Sequence, residues 1–245
     1  MIQSAKKSMM KNITFSCDGL ELIASLHLPP VERPPVVIGS HGLFSDRNSP
    51  KQIALAQQCN RLNLAYLRID HRGCGASQGK FEDVTSLEAS CRDLIQAIEL
   101  MKTSSETGDR IGLFGSSMGG AVCLSVAGTM GIGPIVTVAA PFKSRHIQNA
   151  VDNPEERDDP GPQFNAKENS FDISQKLSKI SNILLFHGDE DTVVPLSHAR
   201  EIFQQAGHPK KLFVQKKGDH RMSNPIHQQE FVREASLWFQ SRLSE

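Results

Sequence analysis

The sequence carries no excess of either charge: 27 Lys and Arg balance 27 Asp and Glu over 245 residues. Nothing in it advertises nucleic acid or an anionic surface as a partner. No apolar run approaches the eighteen or so residues of a membrane-spanning helix. The opening stretch from Met1 to Met10 holds Lys6 and Lys7 with no apolar segment behind them. It therefore does not read as a secretory signal. Cys17, Cys59, Cys74, Cys91 and Cys123 are odd in number, widely spaced and form no Cys-x-x-Cys pair. That argues against a zinc site and against a disulfide framework, and fits a reduced, cytoplasmic setting. Internal repeats and long low-complexity tracts are also lacking. What remains is ordinary globular composition, 38% apolar and 22% charged, at a length suited to one α/β domain.

Patterning supplies the elements. Asn12–Ser16 and Glu21–Leu28 alternate as strands around the turn signal Cys17-Asp18-Gly19, an opening hairpin. After a proline-marked loop, Val36–Ser40 is an uninterrupted apolar strand of the kind buried on both faces. Ser49-Pro50-Lys51-Gln52 predicts a helix start with Pro in the first turn and Gln52 closing a capping box, running to about Leu62. Ala65–Asp70 is a strand, followed by the glycine-rich loop Asp70–Ser77. Thr85 and Glu88 predict a second capping box, ahead of a helix whose Leu87, Cys91, Leu94, Ile95, Ile98 and Met101 share a face. Strands are also expected at Arg110–Phe114, Pro134–Pro141, Asn182–Gly188 and Lys211–Gln215, with helices at Gly120–Ala127, Leu196–Ala206 and from Asn224-Pro225 onward. The alternation predicts an α/β fold: a doubly wound, mostly parallel, eight-stranded sheet. One domain spans 1–245, with the polar, breaker-rich segment 142–176 as a small lid-like insertion.

The stretch Gly115-Ser116-Ser117-Met118-Gly119 joins an apolar strand to a helix of small residues. In that context Gly-x-Ser-x-Gly is a nucleophile elbow, and Ser117 is the candidate nucleophile. A serine hydroxyl is weak at neutral pH. It needs a base in hydrogen-bond reach and a group that orients the base. Ligands of such sheets bind beyond the carboxyl ends of the strands. Of nine histidines, His220 lies between the last strand and the last helix, at that end. The loop after the preceding strand offers Asp189, Glu190 and Asp191; Asp191 is chosen as the acid, with Asp189 in reserve. The backbone N–H groups of Leu43 and Met118 are candidates for the oxyanion hole. Phe44 and Phe142 are candidate substrate contacts. Gly73–Lys80 hints at a phosphate loop, but its spacing is one residue too long and Phe81 stands where Ser or Thr is required. Cys123 reads as core. No metal site and no cofactor are expected.

His41-Gly42, Asp70-His71-Arg72-Gly73-Cys74-Gly75-Ala76-Ser77, Gly115–Gly119, His187-Gly188-Asp189-Glu190-Asp191-Thr192-Val193-Val194-Pro195 and Gly218-Asp219-His220 occur in one order. On these motifs the chain resembles the α/β-hydrolase superfamily, and is similar to its cinnamoyl-esterase and serine-aminopeptidase-like group. The resemblance implies the α/β-hydrolase fold, Asp191 as the triad acid, and a structural role for Asp70 and Arg72. Family members acting on phenolic esters carry a fuller insertion than 142–176. The expected activity is a serine hydrolase that cleaves a small-molecule carboxylic ester through an acyl-enzyme. Serine aminopeptidase, thioesterase and acyltransferase activities use the same triad, and a non-catalytic binding or scaffold role is the alternative of another class.

Overall fold

The computed structural model describes residues 8–144 and 170–244. Most of the segment read as an insertion, 145–169, lies outside the described residues. In chain order the elements are β1 (Met9–Cys17), β2 (Leu20–Leu28), β3 (Val36–Ser40), α1 (Pro50–Arg61), β4 (Ala65–Ile69), α2 (Phe81–Val84), α3 (Leu87–Thr103), β5 (Ile111–Ser116), α4 (Met118–Met130), β6 (Ile135–Val138), α5 (Ser174–Leu177), β7 (Ile183–Gly188), α6 (Ser197–Gln205), β8 (Lys210–Gln215) and α7 (Pro225–Leu243). The strands form one sheet in the order β1-β2-β4-β3-β5-β6-β7-β8. β1 and β2 are antiparallel, as are β2 and β4; from β4 onward every pair is parallel. This is the mixed, mostly parallel sheet of the α/β-hydrolase fold. The opening hairpin turns on Asp18 and Gly19, both at positive φ (49° and 78°). Two such residues make the turn whose twist matches the strands it joins.

Parity along the strands splits the core in two. Val36 and Ile38 face one side with Leu113, Ile183 and Leu185, where α3, α4 and α6 cover them. Val37, Tyr66, Phe114, Leu184 and Phe186 face the other, under α1 and α7. Both faces are apolar because both are covered. On the second face Phe231 sits 5.4 Å from Phe114 and from Phe186, ring centre to ring centre. Burying each such ring contributes roughly 1.5–3 kcal/mol. All five cysteines are free thiols, and Cys17, Cys59 and Cys123 are buried. Burial pushes the Cys17 thiol up to about 11 and that of Cys74 to about 12, and raises Cys59, Cys91 and Cys123 as well.

Two local expectations are corrected. Helix α1 starts where expected, but Ser49 makes no side-chain cap. Gln52 is instead buried, turned onto the sheet so closely that a Cβ on Gly39 would fall 2.2 Å from its Oε1. Tertiary burial overrides the reciprocal cap. For α3 the cap moves one residue on: Ser86, not Thr85, accepts the N–H of Ala89. Asn224 caps α7 by accepting from Ile226, with Pro225 behind it.

What the fold does for function is to align loop starts. The parallel strands β3, β5, β7 and β8 all deliver their following loops to one edge of the sheet. Those loops hold His41–Leu43, Ser117, Asp191 and His220.

Candidate active site

Ser117 sits between β5 and α4 with φ 51° and ψ −121°. This backbone conformation is costly for a residue with a Cβ and persists only where the surroundings over-determine it. Here they do. The Ser117 N–H donates to the Val138 carbonyl at 2.8 Å, and the Ser117 carbonyl accepts from Gly120 (2.8 Å) and Ala121 (3.2 Å). The flanking glycines are required by contact. A Cβ on Gly115 would lie 2.2 Å from the Gly119 oxygen, and one on Gly119 would lie 2.2 Å from the Ser40 oxygen.

The turn holds the hydroxyl out toward the β8–α7 loop. Ser117 Oγ is 3.0 Å from His220 Nε2, and His220 Nδ1 is 2.9 Å from Asp191 Oδ2. A carboxylate oxygen only accepts, so the His220 proton is on Nδ1 and Nε2 is free to accept from Ser117. Asp191 is fully occupied in turn. Its Oδ1 accepts from the N–H groups of Val193 (2.9 Å) and Val194 (2.8 Å). Burial pushes its pKa up, but hydrogen bonds from His187, His220 and the main chain outweigh this, and the carboxyl is held well below the ordinary range. Asp189, the reserve, is used elsewhere: its Oδ1 accepts the Lys217 N–H at 2.5 Å and ties β7's loop to the turn after β8.

The oxyanion candidates flank this relay. Met118 is the first residue of α4, where N–H groups have no intrahelical acceptor and the helix end is electropositive. On the other side, a Cβ on Gly42 would stand 3.4 Å from the Ser117 Cβ, so the loop carrying Leu43 lies directly against the elbow. Phe44 is 43% exposed and stacks on Phe81 at 5.1 Å, a ring at the surface beside that loop. The Phe142 ring is buried, 4.9 Å from His198, whose Nδ1 accepts the Phe142 N–H. Of the two aromatic candidates, Phe44 presents the more accessible face.

The glycine-rich loop after β4 is a bracing structure. Asp70 is buried, pairs with the Arg47 guanidinium and accepts from the N–H groups of Arg47 (2.7 Å) and Ala76 (2.8 Å). Arg72 forks onto Asp93 at 2.9 and 2.6 Å. The sequence reading did not single out Asp93, His71 or the tie of His187 to Asp191. Asp93 was detectable in principle: it lies on the buried face of α3 with Ser90, Ala97 and Met101, where a carboxylate demands partners. Among the described residues, no cluster of three or more His, Cys, Asp or Glu could hold a metal ion, and no helix is long and apolar enough to cross a membrane.

Comparison with known proteins agrees with the fold. The profile of a family described as serine aminopeptidase, S33, matches residues 32–150. An uncharacterised Escherichia coli K12 protein, YfhR, is 29% identical over 164 residues, covering 64% of this chain. The chain thus spans about half (54%) of that relative's length. The mouse mitochondrial palmitoyl-protein thioesterase ABHD10 is 25% identical over 212 residues, 77% of this chain and 69% of its own. Among solved structures, Est1E of Butyrivibrio proteoclasticus bound to ferulic acid superposes with a TM-score of 0.79 at 22% identity, covering 94% of this chain and 98% of that one. An esterase domain from Rhodothermus marinus gives 0.74 at 24% identity, covering 95% and 98%. The chain has the α/β-hydrolase fold and is similar to members of that superfamily.

Proposed function

We propose that this protein is a serine hydrolase that cleaves a carboxylic ester through an acyl-enzyme. The observation that carries the reading is the unbroken relay Ser117 Oγ–His220 Nε2 (3.0 Å) and His220 Nδ1–Asp191 Oδ2 (2.9 Å), launched from a strained turn. His220 takes the Ser117 proton as Oγ attacks the acyl carbon. The N–H groups of Leu43 and Met118 hold the oxygen that becomes negative. Asp191 fixes the imidazole's tautomer and stabilises the imidazolium. His220 then protonates the departing alcohol, and water, activated by the same imidazole, releases the acid. Phe44 and Phe142 are the proposed substrate contacts.

A second reading is thioester hydrolysis, which the same groups perform and which the mouse relative's name describes. The test is a set of p-nitrophenyl esters of graded chain length, acyl thioesters and aminoacyl amides, run on wild type and Ser117→Ala. Ester turnover that falls at least ~10³-fold in the variant supports the proposal. Preference for thioester or amide moves the assignment within the class. Turnover unchanged by the substitution, with no labelling of Ser117 by a fluorophosphonate, would overturn it and favour a non-catalytic role.

A further inference from the structure

Behind the oxyanion loop lies a second array of buried polar groups that the proposed reaction does not use. Ser40 Oγ is 2.7 Å from His71 Nε2, and His71 Nδ1 is 3.4 Å from Asp93 Oδ2. The His71 main-chain N–H donates to His41 Nε2 at 3.1 Å, and His41 Nδ1 is 2.8 Å from the Gly42 carbonyl. Ser40, His41, His71 and Asp93 are all buried.

The proton positions follow from donor and acceptor chemistry alone. An N–H can only donate, so His41 Nε2 accepts and carries no proton. A carbonyl can only accept, so His41 Nδ1 carries the proton and donates it to Gly42. His41 is therefore one tautomer, set by His71. On the other side His71 Nδ1 donates to Asp93 Oδ2, and its Nε2 is paired with Ser40 Oγ. Charge agrees with this assignment. Burial, then the neighbouring His71, lowers the His41 pKa to about 3, so its ring is neutral.

The consequence lies in the peptide that His41 grips. The Gly42 carbonyl also accepts from the Ser45 N–H at 3.2 Å. A trans peptide is planar, and its C=O and N–H point in opposite directions. Fixing the Gly42 carbonyl therefore fixes the Leu43 N–H the other way. Gly42 itself lies against the elbow, 3.4 Å from Ser117 Cβ for an added methyl. Were this peptide to rotate, a carbonyl would face the developing oxyanion in place of a donor.

Resting on the proposed serine-hydrolase reading, we infer that His41 is a positioning residue. Its tautomer, locked by the His71 main chain, holds the Gly42–Leu43 peptide so that the Leu43 N–H faces the oxyanion at Ser117. It touches no substrate; it acts through the peptide.

The test is p-nitrophenyl butyrate hydrolysis by wild type, Ser117→Ala, His41→Leu and His41→Asn, with melting temperatures alongside. Asn carries an N–H donor where His41 has Nδ1, and Leu carries none. H41L should lose roughly 100-fold in kcat with KM nearly unchanged, the signature of a lost transition-state donor. H41N should recover most of that loss. Independently, long-range ¹H–¹⁵N spectra of the wild type should show the His41 proton on Nδ1. A kcat for H41L within threefold of wild type, equal losses in H41L and H41N, or a proton on Nε2 would each overturn the inference. If H41L does not fold, the spectrum decides. Wild-type turnover matched by S117A would instead sink the hydrolase reading itself, whatever the His41 tautomer.

Discussion

His187 Nε2 lies 3.3 Å from Asp191 Oδ2, the same oxygen that His220 Nδ1 approaches to 2.9 Å. His187 Nε2 is also 2.7 Å from the Val194 carbonyl, which fixes its proton on that nitrogen. The acid of the relay is thus held from the sheet side by a second imidazole. A hydrogen bond to a charged group is worth about 1.5–3 kcal/mol. Replacing His187 with Leu should cut kcat roughly tenfold, while Gln, which keeps a donor, should cut it less. Steady-state kinetics on the two variants checks this; equal activity in both would remove His187 from the account.

Buried neutral imidazoles make the fold acid-sensitive. Burial, then Arg68, lowers His27 to about 4, and burial, then His71, lowers His41 to about 3. The unfolded chain protonates both near 6.5. Their contribution to stability is present above that value and is lost as pH falls toward 4 and 3. Each sets a slope of up to about 1.4 kcal/mol per pH unit in that window. Asp93 adds a loss of the same sign further down. Burial raises its pKa, but His71 and Arg72 bring it to about 2, so its contribution disappears as pH falls from the unfolded value near 3.9 through 2. Urea midpoints should fall between pH 7 and 5, and His27→Gln, which keeps an acceptor for Arg68, should reduce that slope.

The conformation of Ser117 stores free energy. At φ 51° and ψ −121°, glycine relieves strain that alanine retains. Both Ser117→Gly and Ser117→Ala should abolish turnover. Yet S117G should be the more stable by about 1 kcal/mol, after glycine's extra unfolded-state entropy is subtracted. Thermal melts of the two inactive variants make the comparison directly.

Glycines at two helix ends should behave differently. A methyl on Gly119 meets the Ser40 and His41 carbonyls at 2.2 and 2.4 Å, whereas one on Gly131 meets nothing within 4 Å. Gly119→Ala should cost about 3 kcal/mol or more and lower soluble yield. Gly131→Ala carries only its backbone penalty at φ 68°, about 1 kcal/mol. Denaturant unfolding of both variants measures the gap.

Helix caps offer a sharp contrast as well. Asn224→Ala removes a bond to Ile226 N and should cost about 1 kcal/mol. Ser49→Ala removes no cap bond and should be close to neutral in the same urea titration.

The hairpin at Asp18-Gly19 and the elbow at Ser117 were legible because local chemistry dictates them: positive φ in one, small neighbours in the other. The order of Ser117, Asp191 and His220 along the chain, each at a strand's carboxyl end, made their meeting legible too. The polar groups around them were not. Gln52 fits a capping box in sequence, but the sheet beneath α1 draws it inward. Asp93 reads as one charged residue in an amphipathic helix, and its partners His71 and Arg72 lie some twenty residues away in sequence. Period and motif describe neighbours along the chain. Which buried donor meets which acceptor depends on how layers stack, and one sequence does not state that.

The five thiols have a practical consequence. Thiolate is the reactive form of cysteine, and every cysteine of this chain has its pKa raised by burial. At neutral pH this lowers the thiolate fraction of all five. Phosphonylating reagents should therefore meet less competition from sulfur at Ser117 than ordinary thiols would offer.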